Sequence, residues 1–180
     1  MQSFWDKLPR SFFALAPLED VTDAAFRRLI ARYGRPDVTF TEFTSADGLV
    51  LAPPEGQRAL RKKLLFSENE RPIVAQLFTA SPERMEKAAH TVAKLGFDGF
   101  DINMGCPAGK IVKHDSGAGL ILNHELAKEI IREAKRGARS TSSGQAIPVS
   151  VKTRIGYNKI ITEEWVSHLI EAEPAAITLH

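Results

Sequence analysis

Ile73-Val-Ala-Gln-Leu-Phe78, then Ser81-Pro82 opening a stretch in which Met85, Ala88, Ala89 and Val92 recur at helical spacing as far as Gly96, then Gly99-Phe-Asp-Ile-Asn-Met104: this run decides the fold. A short apolar segment without strict alternation suits a strand covered on both faces. Ser81 followed by Pro82 reads as an N-cap with proline at the first helical position, and Gly96 closes the helix. Strand, helix and strand in immediate succession make a βαβ unit, so the two strands pair in parallel with a right-handed crossover.

The same grammar extends in both directions. Phe12–Ala16, Val38–Glu42, Val149–Arg154 and Ala176–His180 are further candidate strands. Between them, Phe26, Leu29, Ile30 and Tyr33 form an apolar stripe ending at Gly34, read as a left-handed C-terminal cap. Leu126, Ile130, Ile131 and Ala134 repeat the pattern before Gly137, and Thr162 opens a last helix with Trp165, Val166, Leu169 and Ile170 facing inward. Six strands separated by helices leave two architectures, an open doubly wound sheet and a (β/α)8 barrel. No GxGxxG follows the first strand, which weakens the dinucleotide-binding form. Polar or unusual residues instead close nearly every strand: Pro17 and Glu19, Glu42, Gln76, Asn103 and Cys106, Lys152 and Arg154, and His180. A barrel gathers its chemistry on that rim. The expectation is therefore an α/β protein with a (β/α)8 TIM barrel truncated after the sixth strand. Residues 1–180 are read as the N-terminal part of one catalytic domain, with the last two βα units absent. Arg139–Ile147 is read as a polar surface loop before the fifth strand.

Composition is compatible with this and excludes several classes. The chain has 180 residues, 43% of them hydrophobic and 26% charged, which suits a packed domain and not a disordered chain. The best apolar run, Phe12–Leu18, contains Pro17 and is far short of the ~20 residues needed to cross a bilayer. Met1–Arg10 lacks the apolar core of a signal peptide. One cysteine forms no internal disulfide and excludes a Cys-rich zinc site, so the cytoplasm is the default and no metal is expected. Net charge is only +2, yet Arg58, Arg61, Lys62 and Lys63 form one basic group, and Arg132, Lys135, Arg136 and Arg139 another. Solvated helix faces account for both.

The chemistry concentrates in Asp101-Ile-Asn-Met-Gly-Cys-Pro-Ala-Gly-Lys110 and its continuation Val112-Lys-His-Asp-Ser-Gly-Ala-Gly119. A strand ends by presenting Asn103, and Gly105 and Pro107 fix a tight turn around Cys106. That setting aims the thiol at the barrel mouth, whereas a lone cysteine is more often a buried apolar filler. As a nucleophile Cys106 needs a thiolate, normally beside a histidine; the one histidine nearby in sequence, His114, lies in a Gly/Ser-rich loop read as mobile. As a general acid it needs its proton, which an ordinary thiol with a pKa of ~8.5 keeps at neutral pH. The acid role is preferred.

Ala16-Pro-Leu-Glu-Asp-Val-Thr-Asp23, Val74-Ala-Gln-Leu77, Asp101-Ile-Asn-Met-Gly-Cys-Pro107, Val151-Lys-Thr-Arg-Ile-Gly156 and Ile177-Thr-Leu-His180 together resemble the tRNA-dihydrouridine synthases, in order and approximate spacing, from about Phe12 to the last residue. The resemblance implies a flavoenzyme that carries FMN on the rim, is reduced by NADPH and saturates the C5–C6 bond of a uridine in tRNA. By that pattern Ala16, Pro17 and Leu18 line the flavin ring, Gln76 and Lys152 contact it, and His180 lies near it. Cys106 would protonate C5 while hydride reaches C6 from flavin N5, and Asn103 would hold the uracil or flavin edge. Lys110 and Lys113 are the expected phosphate grips for tRNA. Glu42 is expected to serve the structure, within reach of Lys152 or Arg154. Two departures stand out: the loop after Cys106 reads Ala-Gly-Lys where many relatives carry a second lysine, and Glu19 replaces a residue that is often small. The resemblance also implies a C-terminal helical tRNA-binding domain, expected to be absent here, and weak FMN binding by this chain.

Three other readings stay open at this point. A different FMN-barrel reductase acting on a small molecule would keep Lys152 without needing a polyanion channel. A thiol hydrolase or transferase would use Cys106 with no flavin. An inactive piece of the synthase would bind without turnover. The tRNA position modified, the oligomeric state and the choice between NADPH and NADH are not set by the residues.

Overall fold

The computed structural model describes residues 3–139 and 146–180; the polar segment 140–145 of the expected Arg139–Ile147 loop lies outside the described residues. In chain order the elements are β1 (Ala14–Leu15), α1 (Ala24–Gly34), β2 (Val38–Phe40), β3 (Thr44–Ser45), α2 (Ala46–Leu51), α3 (Pro54–Lys63), β4 (Ile73–Phe78), α4 (Pro82–Lys94), β5 (Gly99–Met104), α5 (Gly109–Val112), α6 (His124–Ala138), β6 (Val149–Thr153), α7 (Thr162–Glu171) and β7 (Ile177–Leu179). Every pairing between these strands is parallel, in the order β1-β2-β4-β5-β6-β7, with the two-residue β3 attached to the end of β4. The six wall strands follow one another in sequence with helices between them. This is the α/β architecture expected, six strands of a (β/α)8 barrel wall.

Alternation along the strands separates two environments. Ile73, Ala75, Leu77, Phe100, Ile102, Met104, Val149 and Val151 face outward into one apolar cluster with α4, α6 and α7. The opposite face carries Val38, Phe40 and Val74, closed from below by Phe4, Trp5 and Leu8 of the N-terminal segment. A 3-10 turn over Phe4–Lys7 presents these rings and is fixed by a capping box between Ser3 and Asp6. Gly99 belongs to this seal: a Cβ there would stand 3.0 Å from the Phe4 ring. Above it the inward face turns polar in two layers. Gln76, Asp101 and Ser150 are in register across β4, β5 and β6, and then Asn103, Lys152 and Thr178 across β5, β6 and β7.

The helix between β4 and β5 forms as its punctuation requires. Ser81 Oγ accepts from the Arg84 amide, Pro82 occupies the first turn, and Met85, Ala88, Ala89 and Val92 are fully buried. Four sequence expectations about the helices need correction. Gly137 does not end α6, which runs on to Ala138; it sits where α4 crosses so closely that a Cβ would lie 2.1 Å from the Glu86 carbonyl oxygen. Gly34 is the last residue of α1 and not a left-handed cap, since only Gly96 and Gly117 among the described glycines have positive φ. The α1 stripe is not buried: Leu29 is 54% and Tyr33 76% exposed, while the buried residue of that helix is Arg27. Each nitrogen of its guanidinium has a partner, Nε pairing with Glu70 at 2.7 Å and the other two donating to the carbonyls of Thr22 and Leu65. A buried charge is tolerated only with such partners. In α7, Trp165 and Leu169 are buried as expected, but Ile170 is exposed.

Candidate active site

The thiol stands on a turn at the C-terminal end of β5, and three separate elements hold that turn. Asn103 Oδ1 accepts from the amides of both Gly105 and Cys106, each at 3.0 Å. Arg154, just past β6, donates through Nε to the Gly105 carbonyl at 2.6 Å. The Cys106 carbonyl accepts from the Ala118 amide at 3.0 Å. Gly117 makes that last contact possible: its φ is +58°, and a Cβ would sit 2.6 Å from the Cys106 carbonyl oxygen. Ser116 through Leu120 are buried, with a 3-10 turn over Gly117–Leu122. The segment read as a mobile loop is therefore docked on the cysteine turn. Cys106 itself is half-buried and unbridged. His114 is exposed and its carbonyl accepts from Ser116 Oγ; among the described residues its ring makes no hydrogen bond to the thiol.

Below the turn runs a chain of buried polar side chains. Asn103 Nδ2 donates to Gln76 Oε1 at 3.1 Å; Gln76 Nε2 donates to Asp101 Oδ2 at 2.7 Å; Ser150 Oγ donates to Asp101 Oδ1 at 2.5 Å. Asp101 is completely enclosed, and burial pushes its carboxyl up to about 6 against the opposing pull of Ser150, Gln76 and the Lys152 charge. Gln76 is fully buried and Asn103 nearly so. Lys152, in register with Asn103, is only half-buried and makes no hydrogen bond or ion pair among the described residues.

The remaining expected site residues fall on the same rim. Ala16, Pro17 and Leu18 follow β1 directly, with Ala16 and Leu18 exposed. His180 continues the β7 ladder through its amide, which donates to the Thr153 carbonyl at 3.0 Å, and its side chain is exposed. Lys113 is exposed just after α5; Lys110 lies within α5, and its side chain is outside the described residues. Glu42 differs from expectation. It accepts from the Asp20 amide at 2.8 Å and faces Lys63 at 3.5 Å, not Lys152 or Arg154. Lys63 also meets Glu19 at 2.5 Å, and these carboxylates hold the Lys63 ammonium above its usual range despite its partial burial.

Sequence reasoning missed Asp101, Gly117 and the Arg154 clamp as parts of the site. Asp101 was legible, because it lies two residues before Asn103 and so shares its face of the strand. Gly117 carries no local signal; its role comes from a contact eleven residues back that only the fold creates. A cavity between Lys135, Pro148, Val149 and Glu173 lies at the opposite end of β6 and involves none of these groups.

A parallel wall whose polar groups converge at the strands' C-terminal ends is the arrangement in which (β/α)8 barrels carry their active sites, and the Cys106 turn stands on that rim. Residues 14–180 match the family model described as dihydrouridine synthase, and the chain belongs to that family. It is 43% identical over 180 residues to proteins described as a probable tRNA-dihydrouridine synthase in Staphylococcus aureus (strain COL) and probable tRNA-dihydrouridine synthase 2 in Bacillus subtilis (strain 168), each match covering 99% of this chain and 52% of the relative. The chain thus spans about half the length of the curated relatives it matches. Among solved structures, a 2,3-dimethylmalate lyase of the PEP mutase/isocitrate lyase superfamily superimposes with a TM-score of 0.61 over 97% of this chain and 58% of that one. At 15% identity that likeness concerns the fold alone.

Proposed function

We propose that the protein carrying this chain reduces uridine to 5,6-dihydrouridine in tRNA, using FMN and NADPH. What carries the reading is the Cys106 turn, pinned by Asn103 and Arg154 beside a Lys152 that makes no ion pair among the described residues, in a member of the dihydrouridine synthase family. The residues fit a flavin. Lys152 offers a positive charge held in no ion pair among the described residues, Ala16 and Leu18 offer exposed apolar surface for a planar ring, and Gln76 keeps one N–H after bonding to Asp101. When bound, FMN supplies the hydride that saturates the C6 end of the uridine double bond.

The chain's own residues do the rest. Cys106 holds the proton for C5 and delivers it as negative charge develops on the base, which a neutral thiol does without a metal. Asn103 aims that thiol by accepting from the successive amides of Gly105 and Cys106, and Gln76 orients Asn103 from one layer below. Lys152 stabilises negative charge accumulating over the rim, and His180 borders the same space. Lys110 and Lys113 meet the tRNA backbone, since the base must leave its stack to reach a rim site. Its place of action is with tRNA, in the cytoplasm.

The test is to incubate FMN-loaded protein and NADPH with an unmodified tRNA transcript and follow dihydrouridine by mass spectrometry. Dihydrouridine formation, with tRNA binding that weakens steeply as salt rises, is expected. NADPH oxidation driven by a small enone or pyrimidine, with no product in tRNA, would assign the site to another barrel reductase.

A further inference from the structure

We propose that His124, Glu164 and His168 form a binding site for a zinc-class divalent cation that ties α6 to α7. The site lies on the outer layer of the wall, away from the inward-facing groups of the rim. One ring nitrogen from each histidine and one Glu164 carboxylate oxygen all lie within 4.8 Å of one another. Glu164 and His168 are four residues apart, hence on one face of α7. His124 is the first residue of α6, and the Asn123 side chain fixes its position by accepting from the Leu126 amide.

Two observations point to a ligand and not merely to a polar helix contact. The imidazoles of His124 and His168 lie with centroids 4.3 Å apart, and His124 also packs on the Trp165 ring at 5.4 Å, so both are positioned by the packing. His168 Nδ1 is shut off from water yet has no hydrogen-bond partner; the nearest carboxylate, Glu171, stands 3.6 Å away. Glu171 is engaged instead by Lys128, at 2.8 Å, which also pairs with Glu125. Two imidazoles and one carboxylate match the ligand set of zinc with an open fourth position for water. Tetrahedral zinc with ligand bonds of 2.0–2.2 Å separates its ligand atoms by about 3.3 Å, so rotamer adjustments of about 1 Å close the site. Glu164 is exposed and the His168 side chain 30% exposed, which leaves the cation a way in.

The experiment uses the metal-stripped 180-residue chain, without flavin or RNA, so its outcome is independent of the proposed reaction. Zinc is titrated by calorimetry and cobalt by visible absorbance. One equivalent should bind, with the intense visible bands of tetrahedral cobalt. His168→Ala and Glu164→Gln should each weaken binding by roughly 100-fold or more, as expected for a lost ligand when even outer-shell partners are worth 10–100-fold. His114→Ala, exposed and outside the cluster, should bind as the parent does. Glu164→Gln alters an exposed residue, so its folding is not at issue even if a histidine variant misfolds. No zinc uptake at 100 μM (a concentration of about 10⁻⁴ M, far above structural zinc dissociation constants), or equal loss in His114→Ala, would overturn the site.

Discussion

Asp101 offers the sharpest physical test of the polar column. It is completely enclosed, accepts from Ser150 and Gln76, and has its carboxyl pushed from 3.8 up to about 6 by burial. Raising a proton affinity by that amount is worth about 3 kcal/mol. The sign follows from linkage: between the two values the native state keeps a proton that the unfolded chain releases. Asp101 therefore contributes most to stability below pH 3.8, and that contribution drains away as pH rises through about 6. Asn is nearly isosteric, can accept from Gln76 and can donate to Ser150 Oγ, and it does not titrate. Asp101→Asn should thus gain on the parent by about 2–3 kcal/mol between pH 4 and pH 7.5. Denaturant unfolding followed by circular dichroism, run on both proteins across that range, reads the difference directly. Surface pairs such as Arg136 with Glu86 titrate alike in both and cancel. A difference that is flat with pH, or that moves against the variant, would refute the argument that burial dominates at Asp101.

Other consequences concern the cysteine turn and its neighbour. Asn103→Ala strips the Gly105 and Cys106 amides of their acceptor and should cost about 1–3 kcal/mol while speeding alkylation of Cys106, measured with a thiol reagent. Gly117→Ala forces a Cβ against the Cys106 carbonyl in a left-handed backbone and should cost at least ~1–2 kcal/mol, with the loss seen in the unfolding midpoint. Lys152→Met should weaken FMN binding, measured by quenching of flavin fluorescence; unchanged affinity would make the lysine a purely structural member of the wall.

Much of the fold was legible because βα periodicity and helix punctuation are local. The Ser81-Pro82 start and the Met85, Ala88, Ala89 and Val92 face needed nothing beyond their own segment. The failures are all tertiary. The α1 stripe looked inward, yet Arg27 is the buried residue, because the distant Glu70 carboxylate and Leu65 carbonyl join the nearby Thr22 carbonyl in binding its guanidinium. Gly137 has the composition of a helix end but serves a crossing with α4 that no local pattern encodes. At the candidate site, the strand-end position of Asn103 and Cys106 was readable from the Asn-Met-Gly-Cys-Pro run. The docking of Gly117 on the turn, and Lys63 as the partner of Glu42, depend on contacts between distant segments.

The assignment of Cys106 as proton donor is tested most directly by separating the two half-reactions in the FMN-loaded protein and its Cys106→Ala variant. Flavin bleaching by NADPH should be unchanged, while reoxidation by tRNA should slow at least ~100-fold, the lower range for a lost general acid. Equal slowing of both steps, or reoxidation at the parent rate, would contradict it.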